Sequence, residues 1–152
     1  MTHVRKRVVL TAATAVLGGV LATTPSMAAP AGAGGDAALK TTYVHVWGPA
    51  KISAAYLNAH GKQWQSQNYT MPRPANTARV KLQCWNNGDG GKAQVQIKDM
   101  TLNRVLAGSG FQPCDWKPHY AVSNYYTGHQ IRVLLKVKGK AHTVDVTAER
   151  GY

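Results

Sequence analysis

The stretch Ile131-Arg132-Val133-Leu134-Leu135-Lys136-Val137-Lys138 alternates between two kinds of side chain. Ile131, Val133, Leu135 and Val137 share one face, and Arg132, Lys136 and Lys138 share the other. Successive residues of a β-strand point to opposite sides, so this is the pattern of a strand with one buried and one wet face. The period of two recurs to either side. Val144, Val146 and Ala148 alternate with Thr143, Asp145 and Thr147. In Arg79-Val80-Lys81-Leu82-Gln83-Cys84 the apolar residues and the cysteine fall on one face, and Ala93-Gln94-Val95-Gln96-Ile97-Lys98 alternates without error. Helical periodicity is nearly absent, which excludes a helix bundle.

The connections agree with strands. Asn86-Asn87-Gly88-Asp89-Gly90-Gly91 and Leu102-Asn103-Arg104 read as turns, and Gly139-Lys140 reads as the tip of a hairpin between the last two strands. Thr42–Trp47 and Ile52–Leu57 read as weaker strands split by Gly48-Pro49, and Met71-Pro72-Arg73-Pro74 as a loop. The expected fold is all-β: an antiparallel two-sheet sandwich of seven or eight strands, with a small barrel as the alternative.

The chain of 152 residues opens on the basic cluster Arg5-Lys6-Arg7, the uncharged run Val8–Ala22, and the small-residue string Ser26-Met27-Ala28-Ala29. That order is the anatomy of a secretory signal peptide cut after Ala28, and the run is too short to span a bilayer as a helix. Residues 1–28 are therefore expected to be a signal peptide, 29–39 a flexible Ala/Gly-rich leader, and 40–152 the folded domain of a freely released extracellular protein. The chain has two cysteines, Cys84 and Cys114. Their spacing is far from a Cys-x-x-Cys motif, and export favours one disulfide between them over two free thiols or a metal pair.

The segment Tyr125-Tyr126-Thr127-Gly128-His129-Gln130-Ile131-Arg132-Val133 resembles the turn into the sixth strand of immunoglobulin-like and fibronectin type III sandwiches. In those folds a bulky residue and a Gly-containing turn precede an alternating strand and a final hairpin. The resemblance implies an immunoglobulin-like sandwich and covers about the last 28 residues. Ile131 stands where the family carries a tyrosine inside the strand, and Cys114 falls in a loop-like region rather than in the sixth strand. The Ala-rich leader and one-disulfide β body together look like small secreted proteins of actinobacteria.

Catalytic patterns are missing from the sequence. Acidic residues number six, and none of their positions reads as a buried carboxyl pair for glycoside hydrolysis. Gly108-Ser109-Gly110 lacks the spacing of a nucleophile elbow. His45, His60, His119, His129 and His142 are dispersed without a zinc-protease spacing, and Asn87 with Asp89 offers too few oxygens for calcium. No catalytic residue, metal or cofactor is expected.

Charge and aromatics point to binding. The formal net charge is +12, falling to about +9 once Arg5, Lys6 and Arg7 are cleaved away, which favours polyanionic partners. Lys136, Lys138 and Lys140 crowd the last strand connection, with Arg132 on the face of the first two, and Arg79, Lys81, Lys92 and Lys98 are candidates for a neighbouring wet face. Edge protection and solubility are the competing reading of these lysines. Trp116, His119, Tyr120, Tyr125 and Tyr126 form an aromatic-rich stretch beside Cys114, and Trp85 points outward by alternation from Cys84. Such rings stack on sugars or bases, or else cover the disulfide and plug the sandwich end. The leading expectation is a monomeric, non-catalytic secreted protein holding an anionic polymer or cell-wall glycan on a composite of these residues. The alternatives are a secreted enzyme inhibitor presenting Arg73 on its proline-flanked loop, and a small hydrolase or ribonuclease.

Overall fold

A computed structural model describes residues 41–152. The signal peptide and leader expected over 1–28 and 29–39 lie outside the described residues.

The strands are β1 (Tyr43–Ile52), β2 (Gln63–Gln65), β3 (Tyr69–Thr70), β4 (Thr77–Cys84), β5 (Lys92–Asp99), β6 (Arg104–Gly108), β7 (Gln112–Pro113), β8 (His119–Asn124), β9 (Gln130–Lys138) and β10 (Val144–Gly151), with one helix, α1 (Ala54–Ala59). They form two antiparallel sheets. The first runs β1-β10-β4-β8 and the second β2-β9-β5-β6, with β3 also on β9 and β7 also on β5. Seven strands (β1, β4, β5, β6, β8, β9 and β10) are five residues or longer, and the other three are two- or three-residue additions to the second sheet.

Alternation builds the core. Val80 and Leu82 of β4, Val95 and Ile97 of β5, Ile131, Val133 and Leu135 of β9, and Val144 and Val146 of β10 are all fully buried between the sheets. Each such side chain contributes about 1.5–3 kcal/mol through removal from water. Cys84 and Cys114 form the expected disulfide. It joins the end of β4, in the first sheet, to the residue after β7, in the second, and so staples one sheet to the other.

Three local expectations are corrected. Ile52–Leu57 is not a strand: Ser53 accepts the Tyr56 N–H at 3.1 Å and caps α1, which buries Leu57. A serine N-cap is a helix-start signal that outweighs six residues of weak alternation. Nor does Gly48-Pro49 split a strand. β1 continues through it as an edge strand with register shifts, where a proline costs no ladder bond. Gly48 is required there, because its φ is +105° and a Cβ would lie 2.6 Å from the Val146 carbonyl oxygen. Finally, Gly139-Lys140 does not close a hairpin. β9 and β10 lie in different sheets, so the connection crosses the sandwich, and the final hairpin implied by the resemblance is not formed. Two alternating strands joined by a glycine turn read alike whether the chain folds back or crosses over.

Candidate functional site

The residues expected to form one composite surface lie on opposite sides of the sandwich. Arg79, Lys81 and Gln83 alternate outward from β4 in the first sheet, with Trp85 just beyond them, and Tyr120 of β8 sits in register with Lys81. Arg132, Lys136 and Lys138 alternate outward from β9 in the second sheet. Alternation reports which residues face out, not which sheet they belong to, so the composite surface is replaced by two separate faces.

The other predicted residues divide between buried or paired positions and exposed ones. Tyr125 is buried, and its hydroxyl donates to the Ala75 carbonyl. Lys140 stands in the crossover with its ammonium 3.2 Å from Asp89. His119 is largely covered and lies 3.2 Å from Asp115. Tyr126 is exposed, with its ring 5.2 Å from that of His129. Arg73 is exposed between the buried Met71 and Ala75 and makes no salt bridge among the described residues.

The outer face of the second sheet is cationic. In register, Lys92 meets Lys138, Lys98 meets Arg132, and Gln94 meets Lys136. Gln63 flanks Lys136 from the other side. Arg132 is held in place by Asn68 Oδ1, which accepts from Nε at 2.7 Å, and by Gln65 Oε1, which accepts from Nη1 at 2.9 Å. None of the five cations makes a salt bridge among the described residues. The described carboxylates are all placed elsewhere. Asp99 faces inward and is buried, Asp89 and Asp115 sit in loops, and Asp145 and Glu149 belong to β10 of the first sheet.

The first sheet ends in a pair of exposed tryptophans, Trp85 at 51% and Trp116 at 60% exposure. The disulfide fixes them from below. Trp116 N–H donates to the Cys84 carbonyl at 2.8 Å, and Asn86 N–H to the Cys114 carbonyl at 2.9 Å. The Gln83 side chain donates to the Trp116 carbonyl at 2.9 Å, and the Trp85 indole N–H donates to Asn87. These bonds hold Trp116 at a φ of +70°, a conformation costly for a side-chain-bearing residue. Beside the pair runs a groove of about 360 Å³ that includes Lys51, Gln83, His142 and Asp145 in its lining. The Arg79 guanidinium, farther along the same sheet, is already engaged by Glu149 and by the Tyr43 ring, 3.6 Å from its centroid.

Three aspartates pair with histidines: Asp99 with His129 at 2.7 Å, Asp89 with His142 at 2.7 Å, and Asp115 with His119. Desolvation pushes the Asp99 carboxyl up. Hydrogen bonds from His129 and the Leu102 N–H outweigh it and hold the pKa below the usual aspartate value. Asp89 is lowered in the same way by His142, Lys140 and the Gly91 N–H, and Asp115 by the Lys117 N–H and His119. The Asp99 and Asp115 contacts each tie a loop to a strand, and the Asp89 contact joins two loops and occupies a carboxylate weighed for calcium. Among the described residues there is no group of three metal-ligating side chains, and no helix is long and apolar enough to cross a membrane.

One aromatic cluster was missed by sequence reasoning. Trp47, Trp64 and Tyr69 meet at the side where β1 is the edge of the first sheet and β2 and β3 form the edge of the second. They come from three elements, so no local pattern signals their meeting.

Fold and surface together define a one-disulfide, all-β sandwich with a cationic face and an aromatic face. Comparison with protein-family models, curated proteins and solved structures yields no match.

Proposed function

We propose that this chain is an exported, non-catalytic protein that holds an anionic polymer on the outer face of its second sheet. The observation that carries the reading is the opposition of like charges, Lys92 across from Lys138 and Lys98 across from Arg132, on a face without a described carboxylate. Like charges directly opposite one another weaken a sheet. Solubility calls for net charge, which lysines interspersed with acids or spread over loops would supply without this cost. A repeating anion laid across the face relieves the repulsion. The basic, apolar and small-residue order of residues 1–28 and the disulfide support a location outside the cell, where phosphate- and carboxylate-bearing wall polymers are the ligands of this chemistry.

The test is retention of the processed protein on beads carrying poly(glycerol phosphate), with neutral dextran beads as the comparison. Retention on the phosphate polymer at low salt and release by added salt is the expected result. No retention at low salt, or retention indifferent to salt, overturns the reading. Equal preference for duplex DNA would make it a general polyanion binder.

A second reading rests on the Trp85–Trp116 groove, whose two exposed indoles are held by backbone and side-chain hydrogen bonds. Two fixed, exposed indoles suit the apolar C–H faces of a neutral glycan. Trp85→Ala with Trp116→Ala would abolish glycan retention and leave the salt-sensitive binding intact.

A further inference from the structure

The outer face of the second sheet carries a band of amides between its two pairs of cations. Arg132 meets Lys98 in register at one end and Lys138 meets Lys92 at the other. Between them lie the rows Gln65–Leu134–Gln96 and Gln63–Lys136–Gln94. Lys92 and Lys98 stand six positions apart on β5, so the end rows are about 20 Å apart at roughly 3.3 Å per residue. Gly108 of β6 stands opposite Gln96 and keeps the band open. A Cβ there would lie 3.3 Å from Gln96 Cγ and 3.4 Å from Gln94 Nε2, tighter than ordinary contact.

The amides are the unexplained element. Gln65 Oε1 holds Arg132, but the side chains of Gln63, Gln94 and Gln96 make no hydrogen bond among the described residues. Gln63 is exposed, and Gln94 and Gln96 are half-buried on the wet side of β5, so all three are open to a ligand. Threonine is the polar residue that a half-exposed strand favours, and β5 and β9 contain none. Glutamine also surrenders more rotamer freedom when it is ordered.

We infer that the polymer held on this face is an anionic glycan, one whose charges are carried on sugar rings. It lies along β5 and β9 with anions at the two cation pairs and hydroxyls on the amides of Gln63, Gln94 and Gln96. The inference rests on the polyanion reading and narrows its ligand. A primary amide both donates and accepts, as does a hydroxyl, so the two pair in either sense. A polyanion without hydroxyls leaves the amides to water and gains nothing from them. A single-stranded nucleic acid is held by stacking its bases on aromatic rings, and β5 and β9 contain none.

The test measures association constants over a range of salt for two matched pairs of probes, polygalacturonate with polyacrylate and dextran phosphate with inorganic polyphosphate. Each pair shares its type of anion, and only the first member carries sugar hydroxyls. Ionic contacts set the slope of log K against log salt, whereas amide–hydroxyl contacts add an offset that salt leaves in place. Gln94→Thr/Gln96→Thr puts a strand-favouring residue at both positions. It should weaken at least one glycan about tenfold at every salt concentration, the worth of one or two hydrogen bonds. The slope should stay native, and the hydroxyl-free partner should bind as before. The glycan that responds identifies the anion. The inference is overturned, with the polyanion reading intact, if the double variant binds both glycans as tightly as the native chain or weakens glycan and hydroxyl-free polymer alike. If the native chain binds none of the four in a salt-dependent way, both fall together.

Discussion

Lys92 and Lys138 face each other across β5 and β9, one position from the buried pair Ala93 and Val137. The fold keeps two ammonium groups together directly beside a core contact. Replacing one of them by an acid turns repulsion into attraction. Lys138→Glu should therefore stabilise the domain by about 0.5 kcal/mol in urea unfolding at low salt, while weakening retention on an anionic polymer. A variant that loses both stability and retention would show that Lys138 serves the fold rather than the ligand.

The disulfide closes a sequence separation of 30 residues. Replacing Cys84 and Cys114 together by alanine should lower unfolding stability by about 3–4 kcal/mol on the chain-entropy account. Denaturant unfolding of the two proteins under oxidising conditions measures it. The same change removes the support beneath Trp85 and Trp116, so their emission should shift towards that of fully solvated indole.

Asp99 governs acid stability. Its folded pKa is held below the ordinary aspartate value, so as pH falls the unfolded chain takes up the proton first. The stability it contributes is complete above the unfolded value of about 3.9 and is lost as pH drops from there through the lower folded value. Asp99→Asn should cost about 2 kcal/mol near neutral pH and flatten the decline below pH 4. Asp89 and Asp115 are shifted in the same direction and should leave part of that decline in the variant. Unfolding followed at a series of pH values checks both the size and the sign.

Tyr125 is buried, which suits the packing role of the two weighed for it. Its buried hydroxyl donates to the Ala75 carbonyl and anchors the loop around Arg73. Tyr125→Phe should cost about 1 kcal/mol in thermal unfolding and leave polymer binding unchanged. The exposed neighbour Tyr126 should tolerate the same replacement with no measurable loss.

The strands of the core were legible because each buries one face. Val80, Leu82, Val95, Ile97, Val133 and Val146 stand at every second position, and nothing but a half-buried strand asks for that. The disulfide was legible because two cysteines allow one pairing. Sheet membership was not. Gly139-Lys140 carries the residues of a hairpin tip yet crosses the sandwich, and this one difference sends Lys136 and Lys138 to the face opposite Trp85 and Trp116. The six-residue helix α1 escaped notice because it is too short to display a 3.6-residue period. The Trp47–Trp64–Tyr69 cluster escaped because its rings come from the edges of two different sheets, a relation that exists only once the sandwich has closed.

The central claim is that the second sheet's outer face, and not the general basicity of the chain, holds the polymer. Its most direct test is the salt dependence of the association constant for poly(glycerol phosphate), measured for the native protein, for Lys92→Gln/Lys136→Gln/Lys138→Gln, and for the first-sheet control Lys51→Gln/Lys81→Gln. Each phosphate contact removed lowers the slope of log K against log salt by roughly 0.7–0.9, taking nucleic-acid phosphates as the guide. The account predicts a slope shallower by about two to three in the triple variant and one close to native in the control. Equal losses per lysine on the two faces would contradict it.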